Sequence, residues 1–88
     1  MYEVRLSPEA QNFYNKTSLA TVKKINKCLL ILEQTPYNHP NITALRGNLA
    51  GRYRYRIGDY RIVYLVDEDS KVVSVTLIAH RSRVYDDQ

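Results

Sequence analysis

The segment from Arg52 to Ile57 alternates arginine with tyrosine or isoleucine at every second position. Successive side chains of a β-strand point to opposite faces, so this alternation predicts a strand with Arg52, Arg54 and Arg56 on one face. The tyrosines and the isoleucine then fall on the other face, where they can pack on a core. A chain that contains such a strand requires a sheet with one covered face and one open, positively charged face.

The positive charge of the chain is concentrated around this strand. The 88 residues carry a formal net charge of +4, and five arginines lie between Arg46 and Arg61, with Asp59 as the one acidic residue of that stretch. A guanidinium group can form two parallel hydrogen bonds with a phosphate and can also stack on a base. The backbone of RNA or DNA is therefore the predicted partner of the open face.

Two helices are predicted before the arginine-rich strand. The pair Ser7-Pro8 is a typical start for a first helix, which is predicted to end near Lys16. A second helix, capped by Thr17 or Ser18, is indicated by apolar residues that recur at helical spacing. These apolar residues, which are expected to be mostly buried, are Val22, Ile25, Leu29 and Leu32.

The rest of the pattern predicts the strands of one small sheet. Strands are expected at residues 2–6, 52–57, 60–66 and 72–79. Gly58-Asp59 suits a two-residue hairpin turn of type II′, because its leading residue is glycine. The sequence thus predicts a single α+β domain over residues 1–88, with two N-terminal helices packed on one face of a small, curved, mainly antiparallel sheet.

Composition narrows the class of protein. Cys28 is the one cysteine and falls in an apolar helical pattern, so it is predicted to be a packed thiol in a reducing cytosol. No apolar run approaches the roughly 20 residues of a membrane helix, which predicts a cytoplasmic protein. No metal-ligand or nucleotide-binding motif is present, and the acidic residues at 67–69 are expected to lie solvated on a turn, so no metal or cofactor is predicted.

The C-terminal segment offers two candidates for moving a proton. Histidine titrates near neutral pH, which makes His80 one candidate. Tyr85 is the other: a tyrosine has an ordinary pKa of about 10 and needs cations nearby to act as a base, which Arg81 and Arg83 could supply. If the last strand continued regularly, Arg81 would share the face of Val75 and His80 would point to the opposite face.

Two stretches together resemble the RelE/ParE superfamily of type II toxin–antitoxin toxins, and its RelE branch in particular. They are LRGNLAGRYRYRIGDYRIVYLV, from Leu45 to Val66, and HRSRVY, from His80 to Tyr85. The resemblance implies a RelE-like fold and an endonuclease that cleaves mRNA in the ribosomal A site. It also implies a RelB-like antitoxin as partner, in a toxin–antitoxin hetero-oligomer.

The resemblance further assigns roles to residues of this chain. Arg54, Arg56 and Arg61 fall on positions that hold the scissile phosphate, and Arg52 extends the same strand face. Arg81 falls on the position of an acid and Tyr85 on that of a base, which leaves His80 as a supporting residue.

RNA can be cleaved without metal when its own 2′-OH attacks the adjacent phosphate, provided that a base, an acid and charge-stabilising cations are present. The chain offers all three kinds of group. Two alternatives stay open at this point: a ParE-like inhibitor that binds DNA gyrase, against which the HRSRVY segment argues, and a nucleic-acid-binding module that cuts nothing.

Overall fold

Both helices of the computed structural model, which describes residues 1–83, begin at a serine cap. Ser7 Oγ accepts a hydrogen bond from the Ala10 amide at 3.1 Å, and helix α1 follows as Pro8–Lys16. Ser18 Oγ accepts from the Thr21 amide at 3.2 Å, and helix α2 follows as Leu19–Gln34. Each cap satisfies an amide that has no partner within its helix, and both predicted helices are confirmed.

A five-stranded sheet supports the helices, with the strand order β1-β5-β4-β3-β2. The edge strand β1 pairs in parallel with β5, and the other pairs are antiparallel. The strands are β1 (Glu3–Leu6), β2 (Ile42–Ala44), β3 (Arg52–Ile57), β4 (Tyr60–Asp67) and β5 (Val72–His80). Two short 3-10 turns, Gly47–Leu49 and Arg81–Arg83, precede β3 and follow β5. This mixed, mostly antiparallel sheet confirms the predicted fold class.

The core lies between the helices and one face of the sheet. Ile25 and Leu32 of α2 are fully buried, and Tyr55 of β3 is 5% exposed, as the sequence predicts. Val22, Leu29 and Tyr53 are half-buried. Burial raises the pKa of the Cys28 thiol, which is packed in this core. The sheet side of the core is formed by Tyr55, Ile62, Tyr64, Val73, Val75 and Ile78.

A β-bulge in β5 changes which side chains face the core. Val63 pairs with Leu77 but the next residue of β4, Tyr64, pairs with Val75, so Thr76 has no counterpart. One extra residue reverses the alternation of the strand, because side chains repeat with period two. His80 therefore lies on the helix-covered face together with Val75. The prediction that His80 and Val75 point to opposite faces is wrong for this reason.

The β3–β4 hairpin has the predicted turn. Gly58 has a φ of +52°, whereas Asp59 is not among the residues with positive φ. A positive φ at the first turn residue alone is the mark of type II′, which matches the right-handed twist of the two strands. Within residues 1–83, no helix is long and apolar enough to cross a membrane.

Candidate nucleic-acid interface

The β3–β4 ladder places a row of arginines on the sheet face that the helices leave open. Arg56 pairs with Arg61, Arg54 with Val63 and Arg52 with Leu65. The tyrosines between these arginines belong to the core side, so the predicted division of β3 into a basic and an apolar face is confirmed. Arg56 is exposed, while Arg52, Arg54 and Arg61 are half-buried.

The Gly58-Asp59 turn holds two of the arginines by its carbonyl groups. Arg61 Nη1 donates to the carbonyl oxygens of Gly58 and Tyr60, each at 2.9 Å. The backbone amide of Arg81 donates to the Asp59 carbonyl oxygen at 2.7 Å. Arg61 on β4 and Arg81 after β5 are thereby attached to the same hairpin. Sequence reasoning missed this role, although the short spacing between Gly58 and Arg61 was a signal for it.

The arginines at this end of the sheet act on one another electrostatically. Burial lowers the pKa of the Arg61 guanidinium, and the positive charges of Arg54, Arg56 and Arg81 lower it further. The carboxylate of Asp59 opposes this effect, and it lies 4.0 Å from Arg81 Nε. We name Arg54, Arg56, Arg61 and Arg81 the arginine cluster. Like charges held this close favour a bound anion, because the anion relieves their repulsion.

Two other predicted site residues, Arg52 and His80, lie apart from the arginine cluster. Arg52 begins β3, about 13 Å along the strand from Arg56 at the usual rise per residue. His80 lies on the opposite sheet face, with its ring centroid 5.6 Å from that of Tyr60. Tyr85 lies outside the described residues. Arg83, the last described residue, is exposed.

A second polar cluster lies at the far end of β4, around Glu68. Its carboxylate accepts hydrogen bonds from Tyr37 Oη at 2.5 Å, Tyr2 Oη at 2.7 Å and Lys71 Nζ at 2.8 Å. These donors lower the pKa of Glu68 to about 2, with the Lys71 bond the largest cause. Glu68 is exposed as predicted, but its hydrogen bonds to residues of three separate segments could not be predicted from the sequence. Within residues 1–83, no three His, Cys, Asp or Glu side chains gather as a metal site.

Comparison with known proteins gives the family. A family model described as "ParE toxin of type II toxin-antitoxin system, parDE" matches residues 4–85. The chain belongs to this family. The toxin has no match among curated proteins. The superfamily suggested by the two sequence stretches is confirmed.

Solved structures with the same fold come from both antitoxin complexes and isolated toxins. The toxin is 26% identical to a chain of the RelBE2 toxin–antitoxin complex from Mycobacterium tuberculosis, with a TM-score of 0.80, over 91% of this chain and 98% of that chain. It is also 26% identical to a chain of the archaeal RelE–RelB complex from Pyrococcus horikoshii, with a TM-score of 0.80, over 94% and 98% of the two chains. A YoeB/ParE toxin from Agrobacterium tumefaciens, at 22% identity, has a TM-score of 0.79 over 89% and 96%. The RelE-like fold is therefore established for this toxin.

Proposed function

We propose that this toxin is an endoribonuclease that cleaves mRNA in the ribosomal A site without a metal ion. The observation that carries the proposal is the arginine cluster on the open sheet face. Burial lowers the pKa of the Arg61 guanidinium and the charges of Arg54, Arg56 and Arg81 lower it further, so a phosphodiester bound there is stabilised by several cations at once. The charge that develops on the phosphate in the transition state strengthens these contacts.

The reaction starts with the 2′-OH of the substrate. Its oxygen forms a bond to the adjacent phosphorus while the bond from phosphorus to the 5′-oxygen breaks. Arg54, Arg56 and Arg61 bind the oxygens of the scissile phosphate. Arg52, at the start of β3, contacts another phosphate of the RNA backbone. Tyr85 takes the 2′-OH proton as base, and Arg81 protonates the leaving 5′-oxygen or stabilises its charge. The products are a 2′,3′-cyclic phosphate and a 5′-hydroxyl end.

An in vitro translation mixture tests this proposal. Purified toxin is added to ribosomes stalled on a defined mRNA, and cut positions are read by toeprinting. We expect cleavage in the A-site codon, and we expect the new 3′ end to be a 2′,3′-cyclic phosphate, the product of attack by the 2′-OH without a metal ion. Intact mRNA would overturn the proposal, and so would a cut that leaves a 3′-hydroxyl, the usual product of metal-assisted hydrolysis.

We also propose that a RelB-like antitoxin binds and inactivates this toxin in the cytoplasm, as a hetero-oligomer. The two solved complexes from Mycobacterium tuberculosis and Pyrococcus horikoshii support this proposal by analogy. A basic open face also suits a partner segment that is acidic or amphipathic. The test is co-purification with the product of a neighbouring small gene and loss of toxicity on co-expression. Equal growth inhibition with and without that gene would contradict the proposal.

Inhibition of DNA gyrase is a second candidate function, because the matching family model is that of ParE toxins. A gyrase supercoiling assay run beside the translation assay separates the two. Loss of supercoiling with intact mRNA would support the gyrase alternative. Binding of RNA with neither effect would leave the non-catalytic binding module.

A further inference from the structure

We propose that His80 positions Arg81 by capping the turn that carries it, and that the histidine ring does not transfer the proton in RNA cleavage. This inference rests on the proposed ribonuclease function.

The hydrogen bonds of His80 fix its tautomer. The Ser82 backbone amide lies 3.2 Å from His80 Nδ1, and a backbone amide can only donate. Nδ1 is therefore an acceptor, and Ser82 Oγ, at 3.0 Å, shares the same nitrogen. In a neutral histidine the ring proton must then lie on Nε2, which leaves Nε2 without a free electron pair. A ring in this state can accept a proton only after the bond from Ser82 is lost.

The position of the ring also separates it from the arginine cluster. His80 pairs with Tyr60 on the helix-covered face, whereas the neighbouring pair, Arg61 and Ala79, belongs to the open face. The ring lines a cleft of about 620 Å³ between α1 and the end of β5. Charged groups that line this cleft are Glu9 and Lys16 of α1 and Arg83. A phosphate held by the arginine cluster lies across the sheet from this ring.

The same hydrogen bonds explain what the histidine does instead. His80 is the residue before the 3-10 turn Arg81–Arg83, and Ser82 is the second residue of that turn. A side chain that accepts from the second amide of a helical turn is a cap in the usual sense. Together with the bond from the Arg81 amide to Asp59, the cap fixes the backbone on both sides of the Arg81 Cα. These two hydrogen bonds therefore hold Arg81 in position.

A pair of substitutions separates capping from proton transfer. Asparagine at position 80 can accept a hydrogen bond from the amide two residues ahead, as in an Asx turn. Its side chain cannot take up a proton between about pH 5 and pH 8, where histidines titrate. Alanine can do neither. We expect His80→Ala to lower kcat by about tenfold to a hundredfold, the effect of a misplaced catalytic group, with KM nearly unchanged. We expect His80→Asn to retain most of the wild-type kcat.

The pH dependence gives a second readout of the same variants. Between about pH 5 and pH 8, where histidines titrate, the pH–rate profile of His80→Asn should match that of the wild type. A His80→Asn variant as inactive as His80→Ala, or one that loses a limb of the pH–rate profile, would overturn the proposal. If His80→Ala fails to fold, His80→Asn alone decides between the two roles.

A spectroscopic measurement tests the cap without reference to activity. The ¹⁵N chemical shifts of the His80 ring in the wild-type toxin should report a proton on Nε2 and none on Nδ1 at neutral pH. A proton on Nδ1 would overturn the cap even if RNA were cleaved. If the wild type cleaves no RNA, the proposed function fails, and the ring shifts still decide whether His80 caps the turn.

Discussion

Arg56 and Arg61 lie opposite each other on the β3–β4 ladder, and this pair of like charges is unfavourable for the sheet by itself. A phosphate bound between the two guanidinium groups would relieve their repulsion and attract both of them. We expect Arg56→Ala and Arg61→Ala each to slow RNA cleavage. Each should raise the activation free energy by roughly two to four kcal/mol, by analogy with the loss of one oxyanion-hole donor. Single-turnover kinetics on ribosome-bound mRNA measure the effect.

Arg5→Ala is the matched control for these substitutions. Arg5 belongs to the same sheet, but it forms an ion pair with Glu3, since Arg5 Nε lies 3.0 Å from Glu3 Oε2. It should keep the full cleavage rate. If Arg5→Ala loses as much activity as Arg56→Ala, the phosphate does not bind at the arginine cluster.

The Glu68 carboxylate should make the toxin less stable at acid pH. Its pKa is lowered from an ordinary 4.5 to about 2 in the folded state, so the stabilisation is present above pH 4.5 and is lost as the pH falls toward 2. Glu68→Gln should lower the free energy of unfolding at neutral pH and flatten its decline below pH 4.5. Urea unfolding at a series of pH values measures both effects.

Asp69→Asn is the control for the acid dependence, because it removes a carboxylate from the same turn without touching the bonds from Tyr2, Tyr37 and Lys71. Its unfolding curve should keep the pH dependence of the wild type. An unchanged pH dependence in Glu68→Gln would show that the hydrogen bonds to the Glu68 carboxylate do not form in solution.

The β3–β4 hairpin turn contributes both to the stability of the fold and to the positions of Arg61 and Arg81. Gly58 has a φ of +52°, and a Cβ there would meet no atom within 4 Å, so substitution costs backbone strain rather than a clash. We expect Gly58→Ala to cost about 1–2 kcal/mol of stability and to impair cleavage, because the turn carbonyls hold Arg61 and Arg81. Urea unfolding and the cleavage assay measure the two effects.

Gly47→Ala is the matched variant at the other end of β3. Gly47 has a similar φ of +63° and equally free space around its Cα, but it lies in the turn before Arg52. It should cost similar stability and leave cleavage intact in the folded protein. Equal loss of activity in both variants would mean that the β3–β4 turn has no special role in holding the arginines.

Elements whose determinants are local in sequence could be predicted. The serine caps, the apolar stripe of α2, the Arg52–Ile57 alternation and the Gly58 turn each depend on neighbouring residues. The parallel pairing of β1 with β5 could not, because the partners are separated by most of the chain. The bulge at Thr76 has no local signature either, and it reversed the face assigned to His80. The register beyond Thr76 is set by packing against β4.

At the scale of the whole molecule, we expect the proposed binding of RNA at the arginine cluster to weaken as the salt concentration rises. The scissile phosphate held by the arginine cluster and a second phosphate contacted by Arg52 predict a slope of about −1.4 for the logarithm of the binding constant against the logarithm of salt concentration, at about 0.7 per phosphate of a single strand. A short RNA with a 2′-deoxy nucleotide at the cut site cannot be cleaved and serves as the ligand. Arg52→Ala should reduce the slope by about 0.7, because it removes the contact to the second phosphate, whereas Arg5→Ala should leave it unchanged. Fluorescence anisotropy measures these slopes, and an affinity indifferent to salt would contradict them.

The parallel ladder between β1 and β5 also sets the order in which the toxin can fold. Synthesis at about 5–20 residues per second makes β5 available several seconds after β1. Contacts between such distant segments close a long loop, which slows folding compared with contacts between neighbours. The helices and the β3–β4 hairpin can form early, but β1 has no partner until β5 emerges. Assembly of the sheet, and with it the fixing of Arg81 beside Arg61, is therefore a late event in the life of the nascent chain.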